Sequence, residues 1–273
     1  MVDIRWLYEG IFVIYILSLI GYFIDFVQQN RKANKVAFWL LCMVWLLQTF
    51  FLFHQLVVLK RFPIATLTDS LFFYAWVLVT FSIIMNRLFK VHFIVFFINL
   101  FGFFILVMHA SLIVQTHVEQ PGIQLVHEIL ISHISLAIIS YGFFTISFLF
   151  SIMYMLQYRF LKEKKAIKWI WRLGDLERLD VFTFRAITIG VPLLLIAIIL
   201  GFVWAYAENV EFYWFDLKTI GSILVLFVYI VYLLLRIGKR YSGKSLAFYN
   251  TYAFLVLVIN FFLFSTLSNF HIQ

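Results

Sequence analysis

The chain has 273 residues, 64% of them hydrophobic and 12% charged, with a formal net charge of +8. Soluble domains carry about a quarter charged residues and less than half apolar ones. This composition therefore excludes a surface turned wholly to water, and sets apolar side chains against lipid as well as in a core.

A membrane span needs about 20 consecutive apolar residues. Runs of that kind predict spans at 6–27, 36–58, 66–86, 92–115, 127–156, 184–207, 217–237 and 246–270. The expected fold is all-α: a polytopic transmembrane helical bundle of about eight spans, forming one membrane domain over 1–273. The first span follows Met1-Val2-Asp3-Ile4-Arg5, which lacks a basic leader region, and no small-x-small cleavage site follows the span, so this helix is expected to stay. Cys42 lies inside the second span and is the only cysteine, which leaves no internal disulfide. Its surroundings read as those of a small buried hydrophobe. Asp69, at the start of the third span, reads as a helix cap. The fifth run is longer than a bilayer requires and is expected to tilt or project. No Cys-x-x-Cys-His haem-attachment motif, P-loop or serine-nucleophile motif occurs.

The basic residues alternate between connections. Arg31, Lys32 and Lys35 lie between spans 1 and 2, Arg87 and Lys90 between 3 and 4, and eight more, from Arg159 to Arg185, between 5 and 6. Arg236, Lys239, Arg240 and Lys244 lie between 7 and 8, which puts seventeen of the twenty-one on one side. The positive-inside rule makes that side cytoplasmic and both termini external. The net charge thus reflects topology rather than a nucleic-acid partner.

The connection at 158–183 is the one sizeable cytoplasmic piece. Ile167, Ile170, Trp171, Leu173, Leu176 and Leu179 recur at near-helical spacing, with Lys164, Lys165, Lys168, Arg172 and Arg178 between them. This pattern predicts an amphipathic helix at the inner headgroups, with a solvated basic loop or a docking segment as alternatives.

Six of the seven histidines gather toward the outer face. His54 and His109 fall in the outer halves of spans 2 and 4, His117 and His127 in or beside the next outer loop, His133 about two turns into span 5, and His271 just past span 8. Only His92 falls on the cytoplasmic side. Ionisable groups at membrane depth face the protein interior, and neutral imidazole is a common metal ligand and an axial ligand of haem iron. A plain interhelical hydrogen bond is the simpler use of any one of them. His127 and His133, six residues apart, are about 240° apart on a helix and cannot both point at one ligand. The outer loop at 204–218 is dense in aromatics, with Trp204, Tyr206, Phe212, Tyr213, Trp214 and Phe215 beside Glu208, Glu211 and Asp216. It reads either as an interfacial belt or as a flat shelf for a planar, apolar, metal-centred ring.

These residues resemble the cytochrome c assembly superfamily of haem-handling membrane proteins, the CcsA and CcmC type, and within it the HemX branch of Gram-positive bacteria. The opening from Ser18 to Phe26 carries the HemX likeness, with Asn30 to Asn34 and Ala37 to Leu41. The superfamily likeness rests on Phe62 to Trp76, His133 to Tyr141, Gly201 to Lys218, and Ser268 to His271. Tyr213 and Phe215 stand where the family has tryptophans, and Leu217 and Thr219 replace its usual Pro and Glu.

The resemblance implies a non-enzymatic protein of the bacterial plasma membrane that binds b-type haem, or a related tetrapyrrole, non-covalently. His133 and His271 would be axial iron ligands, and Trp204, Tyr213, Trp214 and Phe215 the shelf. Asp216 and Lys218 would fix the loop, with His54, His109 and His127 as secondary candidates. It also implies negative control of the level of glutamyl-tRNA reductase, whose contact would fall on 158–183. The other functions weighed are presentation of haem to an external apocytochrome, haem transport, and a ligand-free scaffold.

Overall fold

The computed structural model describes residues 4–57, 64, 66–88, 92–115, 128–163, 175–207, 217–238, 241 and 243–264. These residues form eight α-helices: α1 Ile4–Gln28, α2 Arg31–Val57, α3 Leu67–Leu88, α4 His92–Gln115, α5 Glu128–Glu163, α6 Leu176–Ala207, α7 Leu217–Ile237 and α8 Lys244–Ile259. A π-helical turn, Asn260–Phe264, follows α8. All eight helices contain a stretch long and apolar enough to cross a membrane. Helices suit this composition because lipid offers backbone N–H and C=O groups no partner, so each segment must satisfy its own. The chain divides into two compact units, Met1–Val126 and His127–Gln273.

In the first unit α1 packs on α2 and α4, and α3 packs on α2 and α4. The inward stripe of α1 runs through Ile11, Tyr15, Ser18, Tyr22 and Asp25, all buried. The opposite pattern holds on α2, where Trp39, Met43, Leu46, Phe50 and Phe53 are exposed at spacings of three and four. Polar residues thus turn inward and large apolar ones outward to lipid. Two local devices set the packing. Gly21 lets α1 approach α2, since a Cβ there would stand 2.9 Å from the Ala37 Cβ, and Ser18 Oγ donates to the Ala37 carbonyl at 2.9 Å. Between α2 and α3, Trp45 Nε1 donates to Thr80 Oγ1 and Trp76 Nε1 to Thr49 Oγ1, each at 2.8 Å. Each threonine passes its own proton back to a carbonyl one turn earlier, Trp45 or Trp76. The result is a reciprocal clasp with its indoles stacked. Asp69 caps α3 as expected: its N–H donates to Thr66 Oγ1 while its carboxylate accepts from the Thr66 N–H and hydroxyl.

In the second unit α5 packs along α6 and α8, while α7 lies against α6 and α8. Two helices run further than the hydropathy implied. α5 continues to Glu163 and α6 begins at Leu176, so residues 158–163 and 176–183 of the 158–183 segment belong to the two long helices. Continuing the helix keeps backbone groups paired, and the Arg159–Glu163 pair, 2.8 Å apart, supports the last turn of α5. Residues 164–174, with Lys164, Lys165 and Lys168, lie outside the described residues.

Polar ties hold this unit together at several depths. Ser140 donates to the Gly190 carbonyl at 2.8 Å, joining α5 to α6. Asn250 of α8 reaches Ser151 at 2.9 Å and Ser147 at 3.2 Å on α5. Asn260 Nδ2, in the π turn, donates to Tyr141 Oη at 3.1 Å and to Ser222 Oγ at 3.4 Å. At the opposite end Asp180 of α6 forms an ion pair with Arg236 of α7. Such bonds average about 0.6 kcal/mol in membranes and reach about 1.7. They specify which faces meet where apolar burial cannot.

Candidate functional site

The site grows from α5. His133 lies in its second turn and is half-buried. Its Nδ1 is 2.5 Å from the carbonyl oxygen of Ala197 on α6. A carbonyl can only accept, so Nδ1 carries the proton, and in the neutral ring Nε2 then keeps its lone pair. One turn further along α6, Gly201 lies against the ring, where a Cβ would stand 2.9 Å from both Cε1 and Nδ1. Nδ1 faces α6 through its bond to Ala197, and Nε2 is the nitrogen left to bond a ligand. An imidazole whose other N–H is tied to a backbone carbonyl is the usual form of a metal-bound histidine.

Trp204 follows Gly201 by three residues and Ala197 by seven, so it continues the same stripe of α6 toward the end of the helix. It is half-buried. Lys218 lies in the first turn of α7, one turn above Ser222. Three of the residues singled out from the sequence, His133, Trp204 and Lys218, thus share one end of the second unit. Tyr213, Trp214, Phe215, Asp216, His271 and His127 lie outside the described residues.

The other histidines belong to the first unit. His109 of α4 is 2% exposed. Its Nδ1 is 2.8 Å from the Thr68 carbonyl, and its ring packs 5.1 Å from Phe72 and 5.8 Å from Tyr8. His54 of α2 is half-buried, with its ring 6.5 Å from that of Phe50.

Two features of the His133 end escaped the sequence reading. Ala197 and Gly201 look like any small residues in an apolar run, and only their spacing of four hinted at a shared face. The Asn260–Tyr141–Ser222 trio sits about two turns along α5 from His133, where Asn260 opens a π turn, a departure from α-helix common at functional sites. A lone asparagine near the end of an apolar span was the available signal.

Fold and site describe a multi-pass membrane protein with a histidine held in ligand-ready form beside an aromatic helix end. Residues 64–272 match the family described as cytochrome c assembly protein, and the chain belongs to that family. Within it the likeness is to HemX-type proteins. The chain is 49% identical to Protein HemX of Bacillus subtilis (strain 168), over 96% of this chain and 95% of that one. It is 40% identical to Protein HemX of Brevibacillus brevis, over 99% of each. It is 24% identical to the cytochrome c biogenesis protein CcsA of Guillardia theta, over 91% of this chain and 88% of that one. Eight spans and these bacterial relatives make it a multi-pass protein of the bacterial plasma membrane.

Proposed function

We propose that the protein binds b-type haem non-covalently at the His133 end of its second unit and serves haem homeostasis without catalysing a reaction. One observation carries this reading: the Nδ1–H of His133 is spent on the Ala197 carbonyl, so Nε2 would be the nitrogen that holds the iron. His271 is the proposed second ligand. Trp204, Tyr213, Trp214 and Phe215 would supply the apolar shelf for the ring, Asp216 would hold the loop, and the Lys218 ammonium would pair with a propionate. When bound, haem supplies a redox-active iron and a visible chromophore. The charge pattern supports an external position for this end, with both termini outside.

The HemX likeness supports a regulatory output: negative control of the level of glutamyl-tRNA reductase. That enzyme is cytoplasmic, so any contact uses the inner ends of α5 and α6 and the connection between them. Exchanging Lys164, Lys165 and Lys168 for Glu weakens regulation on this reading. Unchanged reductase levels with normal insertion count against the contact.

The test of the site is the visible spectrum of protein purified in mild detergent, oxidised and reduced, for wild type, His133→Ala and His271→Ala. The reading expects a sharp reduced pattern of bis-histidine haem that either substitution abolishes. A pigment that survives both refutes the site. The CcsA likeness favours a second reading, in which haem is presented to an external apocytochrome. Normal c-type cytochromes in a deletion strain exclude it.

A further inference from the structure

In an α-helix each carbonyl points toward the residue four positions on, and each Cβ tilts back over the preceding turn. A side chain at position 201 would therefore cover the Ala197 carbonyl. At Gly201 nothing covers it, and the Ala197 oxygen, already bonded within the helix, has a second lone pair open to a neighbour. The His133 ring lies in that opening, within 2.9 Å of where a Cβ would be and with Nδ1 2.5 Å from the oxygen. Free neutral histidine favours the opposite tautomer, with the proton on Nε2, which cannot ligate through that nitrogen.

We propose that Gly201 is a positioning residue that sets the tautomer of His133, by exposing the Ala197 carbonyl to Nδ1–H and so holding the Nε2 lone pair ready for a metal. The seat and the tautomer exist without any ligand. Only their consequence for haem affinity rests on the function proposed above.

α6 contains its own control. Gly190 is equally crowded, but the atoms its Cβ would meet, at 2.7 Å, belong to the Phe144 ring rather than to a histidine. Gly190→Ala thus strains the same helix pair while leaving the seat open.

The experiment uses full-length, ligand-free protein labelled with 15N-histidine in detergent or lipid discs. The His133 signals, assigned by their loss in His133→Gln, report the tautomer directly. Wild type and Gly190→Ala are expected to show Nδ1–H, and Gly201→Ala to show Nε2–H or a mixture. Haemin titration of the same samples is expected to show binding weakened about 10- to 100-fold in Gly201→Ala, the usual cost of losing an outer-shell partner of a metal ligand. The proposal is overturned if Gly201→Ala keeps the wild-type tautomer, or if Gly190→Ala shifts it equally. Should Gly201→Ala fail to fold, the wild-type spectrum decides: an Nε2–H tautomer there also overturns the proposal. If the tautomers behave as expected but no sample binds haemin, the positioning role stands and the haem reading falls.

Discussion

Removing the Asp180 carboxylate tests how charge is used at the end of the second unit opposite His133. The Asp180 side chain is 15% exposed and that of Arg236 is 23% exposed. The guanidinium also lies 5.9 Å from the ring centroid of Phe184. Breaking a fully buried pair costs about 3–5 kcal/mol, because the remaining charge is stranded. A fully exposed pair is worth about 0–1 kcal/mol. With roughly a fifth of each side chain exposed, Asp180→Ala should cost about 2–3 kcal/mol, intermediate between those limits. Arg236→Met keeps the apolar packing on Phe184 but leaves Asp180 unpaired, at a similar cost. The double variant strands neither charge, so it should be less destabilised than the singles summed, with a coupling of about 1–2 kcal/mol. Reversible unfolding in mixed micelles, followed by circular dichroism, measures all three. The pair lies about 25 Å along α6 from Ala197, from seventeen residues at about 1.5 Å each, so the proposed haem site should be unaffected. Additive singles, with coupling below about 0.5 kcal/mol, would refute the reasoning and mark the pair as solvated.

Two further outcomes are expected. Thr49→Val removes the acceptor of Trp76 Nε1 and strands a half-buried N–H. It should destabilise the first unit by about 1–2 kcal/mol and shift tryptophan emission, whereas unchanged emission and stability would show that the clasp carries no load. For topology, a Cys42→Ser background carrying Tyr206→Cys should react with an impermeant maleimide in intact cells, and one carrying Ser245→Cys only after lysis. The reverse pattern would invert the proposed orientation.

Much of the architecture follows from local rules. Backbone groups in lipid have no partner but their own helix, so apolar runs alone implied spans that overlap all eight helices. Asp69 read as a cap from its place at the start of α3, and the structure adds Thr66, three residues earlier, as its partner. His133 and Trp204 stood out for similar reasons, as a costly polar group and an aromatic at span ends. The ends of α5 and α6 lie beyond the apolar runs, because hydropathy marks where lipid ends and not where helix ends. α5 runs seven residues past the predicted end of its span, through Tyr158, Arg159 and Lys162.

What the tertiary structure decided is which faces meet. Lipid is as apolar as leucine, so burial exerts no preference between a neighbouring helix and the bilayer. The outward stripe of α2 is as apolar as its inward one. Selection passes to small residues and single hydrogen bonds between positions far apart in the chain: Trp45 with Thr80, Ser140 with Gly190, Asp180 with Arg236. His133 is the case that bears on function. Its sixty-four-residue reach to Ala197, over the bare backbone of Gly201, places Nδ1 on a carbonyl and thereby gives a half-buried polar residue the form the proposed ligand needs.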